Sequence, residues 1–246
     1  MNPIRLTILG SGDLLGSGGR FQTCFALDAE NTHYLIDCGA SSLIAMKRFG
    51  VDPASIDGLL VSHLHGDHFG GLPFLILEAQ FGRRTRDLTV CGPAGIVERT
   101  NAAMEVLFPG STKVERKFRT SFVEFADRQA LHVGPLEVTP FEVVHASGAT
   151  PYALRIAMGG KVIAYSGDTQ WTESLGAVAQ DADVFVCEAY TFDKAIRYHL
   201  DFATLATHRS ELTCKRLILT HMSENMMTNL PQVDVEAASD GMVITL

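Results

Sequence analysis

The sequence predicts an α/β fold with two strand-rich halves, and three observations carry that prediction. Short β-branched or apolar runs ended by Gly, Asp or Pro alternate with stretches whose apolar residues recur every three or four positions. The alternation comes in two sets, one ending near Val90 and one beginning at Leu136. A chain of 246 residues with 46% hydrophobic content can bury a large core, and it carries no repeat, low-complexity tract or linker. One domain spanning residues 1–246 is therefore expected.

The first set places strands at Arg5 to Leu9, Thr23 to Leu27, His33 to Ile36, Gly58 to Val61 and Leu88 to Val90. The second places them at Leu136 to Val144, Tyr152 to Ala157, Val162 to Tyr165, Asp183 to Cys187, Arg216 to Leu219 and Met242 to Leu246. Gly159-Gly160 marks a tight hairpin turn between two of these. Helical spacing occurs at Ala40 to Arg48, Leu72 to Phe81, Ala94 to Val106, Thr172 to Ala179 and Phe202 to Leu212.

Composition narrows the function classes. A net charge of −8 opposes a broad phosphate-gripping surface, since nucleic-acid binders leave a basic footprint. Cys24, Cys38, Cys91, Cys187 and Cys214 are odd in number, widely spaced and outside any ligand motif, which reads as reduced thiols. Met1-Asn2-Pro3-Ile4-Arg5 lacks a charged leader with a long apolar stretch, and no apolar run approaches the ~20 residues of a membrane span. A soluble cytoplasmic protein is expected, with no membrane partner.

The strongest chemical signal is His63-Leu64-His65-Gly66-Asp67-His68, three histidines and an aspartate within six residues at the end of a predicted strand. Imidazole nitrogen with carboxylate oxygen suits zinc and its first-row neighbours, whereas calcium or magnesium would call for oxygen alone. His63 and His65 lie two apart and project from one side of an extended segment. A zinc-protease helix would need its histidines four apart around a glutamate, and no such pattern occurs. The bland alternative is a histidine-rich polar loop.

Ser62 to His68 resembles the Thr/Ser-His-x-His-x-Asp-His signature of the metallo-β-lactamase superfamily, and the resemblance continues along most of the chain. Asp37 in Leu35-Ile36-Asp37-Cys38-Gly39, His145 after Val143-Val144, Asp168 in Tyr165-Ser166-Gly167-Asp168-Thr169 and His221 in Leu219-Thr220-His221-Met222 follow in that superfamily's order. The resemblance implies an αββα sandwich, two mixed sheets flanked by helices, a layering that periodicity alone does not fix. It implies that His63, His65 and His145 hold one divalent ion, that Asp67, His68 and His221 hold a second, and that Asp168 bridges both. Asp67 counts among the catalytic residues as well as the ligands, and Asp37 is expected to hold the loop by hydrogen bonds. Two zinc ions are the expected cofactors, with manganese or iron(II) tolerated by the same donors. Two such ions carry about +4 against about −3 from two carboxylates and a bridging hydroxide, so an anionic substrate is welcome and the hydroxide is the expected nucleophile.

Glu188-Ala189-Tyr190-Thr191-Phe192 with Tyr198-His199-Leu200-Asp201 resembles the segment of ribonuclease Z and related phosphodiesterases in which a non-ligand histidine serves the leaving group. His199 is thereby the expected acid, with Glu188 orienting its ring. Leu200-Asp201 stands where the ribonucleases have small hydroxyl residues, and a solvated surface histidine is the plain alternative. Transfer-RNA-processing members carry a protruding arm, but only residues 146 to 167 separate His145 from Asp168, and the hairpin uses them. The resemblance thus points to hydrolysis of small or cyclic phosphodiesters, with transfer RNA disfavoured and a homodimer allowed. Hydrolysis of esters, thioesters, lactones or lactams, a ribonuclease Z-like endonuclease and a metal-binding sensor are the other readings. Iron redox members usually carry glutamate at the position of His65.

The glycine-rich stretch Gly10 to Arg20 lacks Gly-Lys-Ser/Thr and reads as a turn. The resemblance puts it beside the metals, with Arg20 as a phosphate contact. His33, His132 and His208 have no motif around them, and Phe69, Phe74 and Phe81 are expected to pack in the core.

Overall fold

A computed structural model of the chain describes residues 3–29 and 31–246. Met1 and Asn2, part of the stretch inspected for a leader, lie outside the described residues. Strands β1 (Arg5–Gly10), β2 (Cys24–Ala29), β3 (Thr32–Ile36), β4 (Gly58–Leu60), β5 (Leu88–Gly92) and β6 (Thr120–Glu124) form the first sheet in chain order. Strands β7 (Leu131–Val133), β8 (Leu136–Glu142), β9 (Tyr152–Met158), β10 (Lys161–Tyr165), β11 (Val184–Glu188), β12 (Leu217–Thr220) and β13 (Glu236–Ala237) form the second. The last strand, β14 (Val243–Thr245), returns to the first sheet beside β1.

Each sheet has an antiparallel half and a parallel half. In the first, β14, β1, β2 and β3 pair antiparallel and β3 to β6 pair parallel. In the second, β7 to β10 pair antiparallel and β10 to β13 pair parallel. The Gly159-Gly160 turn behaves as its residues require. Both sit at positive φ, and Met158 pairs with Lys161 across a two-residue connection.

Helices α1 (Ser42–Arg48), α2 (Gly66–Phe69), α3 (Leu72–Phe81) and α4 (Ile96–Leu107) belong to the first half. Helices α5 (Ser174–Ala179), α6 (Phe202–Thr207) and α7 (Glu224–Asn229) belong to the second. Three buried clusters show the layering. Leu6, Ile8, Phe25 and Ile36 meet Val138, Leu154, Ile163 and Val186 between the sheets. Met46, Leu72 and Ile76 cover the outer face of the first sheet, and Leu175, Leu205 and Met226 that of the second. Fully burying such side chains contributes about 1.5–3 kcal/mol each, which is why the alternating apolar positions face inward. The expected αββα sandwich is the architecture observed.

Several expectations need correction. The helix expected over Phe202 to Leu212 ends at Thr207; His208 turns out of helical geometry, its amide tightens onto Leu205 O at 3.2 Å, and a separate 3₁₀ turn follows at Arg209–Glu211. Strands β6, β7 and β13 were not expected, because they are short, half-exposed edge or near-edge strands with little apolar alternation. Phe81 is 76% exposed rather than core, since it ends α3 beside the Gly82 turn. Phe69 is buried, and Phe74 meets Phe108 edge-on at 5.2 Å.

Candidate metal centre

The histidine-rich loop leaves β4 and turns at once into α2. Val61 N still bonds Cys91 O at 2.7 Å, and His65 O then accepts from the His68 and Phe69 amides at 3.0 Å. Asp37, directly after β3, pins this turn. Its buried carboxylate accepts from Ser62 N at 2.7 Å, Ser62 Oγ at 2.8 Å, His68 Nδ1 at 2.7 Å and the Tyr165 hydroxyl at 2.9 Å. Asp37 adopts a left-handed backbone, φ 56°, a region that aspartate enters more readily than most residues. A Cβ on Gly39 would lie 2.3 Å from Asp67 O, so the two loops approach this closely only with glycine there.

The second sheet supplies its residues singly. His145 follows β8, Asp168 follows β10, Glu188 closes β11 and His221 follows β12. The last three stand at the C-terminal ends of parallel strands, where crevices in such sheets form. His221 has φ 57° and its amide bonds Ser11 O at 3.1 Å, which swings the ring from the strand end towards the first half.

Hydrogen bonds fix which ring nitrogens face inward. Ser62 Oγ already donates to Asp37, so at 3.1 Å from His63 Nδ1 it accepts the ring proton. His68 Nδ1 donates to Asp37 and His145 Nδ1 to Tyr198 O at 2.9 Å. Thr23 Oγ1 donates to Gly12 O and lies 3.3 Å from His221 Nδ1, whose proton it accepts. In these four rings Nε2 is left as an inward lone pair.

The inward atoms fall into three groups, each within 4.8 Å: His63, His65 and His145; Asp67, His68, Asp168 and His221; and Asp168, Glu188, His199 and His221, the last two sharing Asp168 and His221. His145 Nε2 lies 3.0 Å from His65 Nδ1, His68 Nε2 lies 3.3 Å from both Asp67 and Asp168, and His221 Nε2 lies 3.2 Å from Asp168. These approach the roughly 3.3 Å edge of a tetrahedron around an ion held at about 2.0–2.1 Å. His63 Nε2, His68 Nε2 and Asp168 Oδ1 are buried with no hydrogen-bond partner. Buried acceptors turned on one another are costly unless a cation lies among them, so the donor set fits divalent metal.

Electrostatics agree with that arrangement for His63, His145 and His221 and oppose it for His68. Burial pushes His63, His145 and His221 towards the neutral, ligating form. Burial would raise Asp168 and Asp67, but the surrounding imidazoles outweigh it and hold both carboxylates below their usual range. His68 moves the other way, because Asp168, Asp67 and Asp37 outweigh its burial.

Beside these groups, Glu188 is fully buried and accepts from Thr169 N at 2.7 Å, Leu200 N at 3.4 Å and His199 Nδ1. Burial and the Asp168 charge push its carboxyl up to about 8, whereas every contact it makes needs an acceptor. Burial lowers His199, and the Glu188 hydrogen bond and charge more than reverse that. The pair is best described as carboxylate and imidazolium sharing one proton. His199 keeps 21% of its side chain exposed, stands 4.9 Å from the His145 ring and 4.6 Å from Tyr190, and borders a cavity of about 290 Å³ with Trp171, Ile196 and Arg197.

Three roles were not read from the sequence: Tyr165 and Thr23 behind the rings, and the Tyr198 carbonyl under His145. Tyr165 and Tyr198 lay inside segments already singled out; Thr23 offered no signal. The Gly10 to Arg20 loop borders an open cavity of about 400 Å³, but Arg20 is a strut within it, its Nη1 held by Ala238 O at 2.9 Å and Ser11 Oγ at 3.4 Å. His33 is tied to Asp28 at 2.7 Å, His132 is exposed, and His208 stacks on Trp171 at 4.1 Å. Cys24, Cys38, Cys91, Cys187 and Cys214 are free thiols. Among the described residues, no helix is long and apolar enough to cross a membrane.

The sequence model of a family described as "Anti-Pycsar protein Apyc1" matches residues 4–238. Ribonuclease Z of Agathobacter rectalis is 25% identical over 281 residues, covering 92% of this chain and 91% of that protein. The metallo-β-lactamase fold protein YhfI of Bacillus subtilis superposes with a TM-score of 0.80 at 22% identity over 100% of both chains. A diphosphatase of the PhnP family superposes at 0.79 with 19% identity, covering 99% of this chain and 98% of that one. The fold is therefore the metallo-β-lactamase fold, as the sequence resemblance implied.

Proposed function

This chain belongs to the Apyc1 family of anti-Pycsar proteins, and from that premise we propose that this metallo-hydrolase cleaves small or cyclic phosphodiesters at a dinuclear centre. His63, His65 and His145 would hold one divalent ion, Asp67, His68 and His221 the other, and Asp168 would lie between them, with zinc the first expectation and manganese or iron(II) compatible. Such ions, when bound, ionise water near neutral pH and balance the charge that develops on a phosphoryl group.

The chain's own residues do the rest. Asp37 holds His68 in its ligating tautomer through Nδ1–H and fixes the loop by its bonds to Ser62. Glu188 holds the His199 Nδ1 proton, so Nε2 faces whatever occupies the half-open side of the ring. Water that has given one proton to solvent would add at phosphorus as hydroxide, the bond to the leaving oxygen would break as the His199 Nε2 proton passes to that oxygen, and the ring would then take a proton back from solvent. The observation that carries this reading is buried Glu188 paired with the partly exposed His199 beside the converged donor groups. A thioester, by contrast, expels a thiolate that leaves without a proton near neutral pH and has less need of a dedicated acid.

The test varies the leaving group. In His199→Ala, turnover of diesters with alkoxide leaving groups is expected to fall about 100-fold or more, while an activated aryl diester is nearly spared. Equal losses on both would remove the proton-donor role. Metal content of the purified protein, with a panel adding cyclic nucleotides, lactones and thioesters, separates diesterase from acyl hydrolase, and metal without turnover would leave a sensor.

A ribonuclease Z-like endonuclease is the second reading, favoured by the relative of that name. Against it stand the net charge of −8 and the use of the stretch between His145 and Asp168 by β9 and β10. Cleavage of precursor transfer RNA in preference to cyclic diesters would reverse the order.

A further inference from the structure

The segment Glu188-Ala189-Tyr190-Thr191-Phe192 supplies Glu188 to the site but leaves Tyr190 without a task. Tyr190 follows β11, and its backbone is strapped on both sides: its amide donates to Leu200 O at 2.8 Å, and its carbonyl accepts from Ser223 N at 2.9 Å. One strap joins it to the loop of His199 and the other to the turn after His221. The ring lies accordingly, 4.6 Å from the His199 ring and 6.1 Å from that of His221. The side chain is half-buried, and among the described residues its hydroxyl meets no hydrogen-bond partner and remains open to solvent. Burial first, then the charges of Asp13, Glu188, Asp168 and Asp67, raise the phenol above its usual value. The hydroxyl thus lies within the field of the centre's carboxylates and keeps its proton at neutral pH.

We propose that Tyr190 Oη–H is a substrate-binding donor, taking one non-bridging oxygen of a phosphodiester while the other faces the metal ligands. This contact rests on the diesterase reading. A diester monoanion carries two such oxygens; cations among the ligands would meet one, and the His199 proton is committed to the leaving oxygen. The inward nitrogens and carboxylates are acceptors and repel the second oxygen, whereas a fixed, open O–H beside them satisfies it. An ester carbonyl presents one such oxygen, so a second donor favours phosphoryl over acyl substrates.

Methyl para-nitrophenyl phosphate isolates this contact from the acid, because nitrophenolate leaves without a proton. On it Tyr190→Phe, which keeps the ring against His199, is expected to lower kcat/KM at least about tenfold, the cost of a hydrogen bond to a charged group. The two enantiomers of the corresponding phosphorothioate, assayed separately, should respond unequally. The variant loses much less on the enantiomer that turns sulfur, a weak acceptor, towards the missing hydroxyl. A structural role for the phenol would slow both alike. Inorganic phosphate, added to metal-loaded wild-type protein carrying isotopically labelled tyrosine, is expected to shift the Tyr190 Cζ resonance saturably and to leave that of Tyr34, buried between the sheets, in place. This readout needs neither turnover nor a folded variant. With diesters cleaved by the wild type, an unmoved Tyr190 resonance, undiminished turnover in the variant or equal losses on both enantiomers overturns the contact and leaves the diesterase reading standing. Wild-type protein that cleaves thioesters or lactones and no diester overturns that reading, and the contact with it.

Discussion

The first sheet presents His63, His65, Asp67 and His68 from one loop of six residues, whereas the second presents His145, Asp168, Glu188 and His221 from the ends of four different strands. The first arrangement is accurate because it is local: one carboxylate, Asp37, grips Ser62 and His68 together. The second is accurate only as far as β10, β11 and β12 keep their parallel register and the sheets stay docked. Asp168 is where the two meet, within reach of His68 from one half and His221 from the other. The comparison teaches that a metal loop can be written as a short motif, while the groups that complete it must be placed by tertiary structure.

The harshest way to break the comparison is to remove that meeting point. Asp168→Asn is expected to lower turnover roughly 10³-fold or more and to reduce bound metal, as several kcal/mol of charge stabilisation are lost. Retained metal and near-normal turnover would show that the halves do not share a ligand. Asp37→Asn acts chiefly on the loop of the first half, and touches the second only through Tyr165. It replaces an acceptor by an amide that can point a donor at His68 Nδ1, and a loss of about 10–100-fold in metal affinity or activity is expected. Metal titration should show the site of Asp67, His68 and His221 weakened before that of His63, His65 and His145; equal weakening would deny the loop its separate standing.

Glu188→Gln probes the second half most gently. His199 must be protonated to act as the acid, and Glu188 holds its proton affinity above the ordinary histidine value despite burial. Turnover of poor leaving groups therefore falls as pH rises through that raised value. Without the carboxylate charge, the falling limb should move to lower pH. A limb that stays in place in the pH profile assigns it to another group.

What could be read from the residues follows the same division. The contiguous loop declared a metal site through donor type and spacing alone. His145, Asp168 and His221 are each an isolated residue at a strand end, and only the family resemblance drew them into the set. Thr23 could not be found either way, because its bond to His221 crosses 198 residues and exists only once β2 and β12 are packed. Element boundaries slipped where local geometry overrode periodicity, as where His208 ends α6 early, and burial was misjudged where a helix end carried an aromatic into solvent, as at Phe81. The one-turn α2 went unread because its four residues offer no period to detect, though they carry Asp67 and His68.

Tyr165 belongs to β10 of the second sheet, yet its phenol ends on Asp37 of the first, and burial with that nearby charge keeps it protonated. The oxygen that positions His68 is thus also a rivet through the middle of the sandwich. Stripping cations from the centre would turn loose histidines against a carboxylate that is simultaneously fastening the two layers, so demetallation would register as slackening across the whole molecule and not as a local loss.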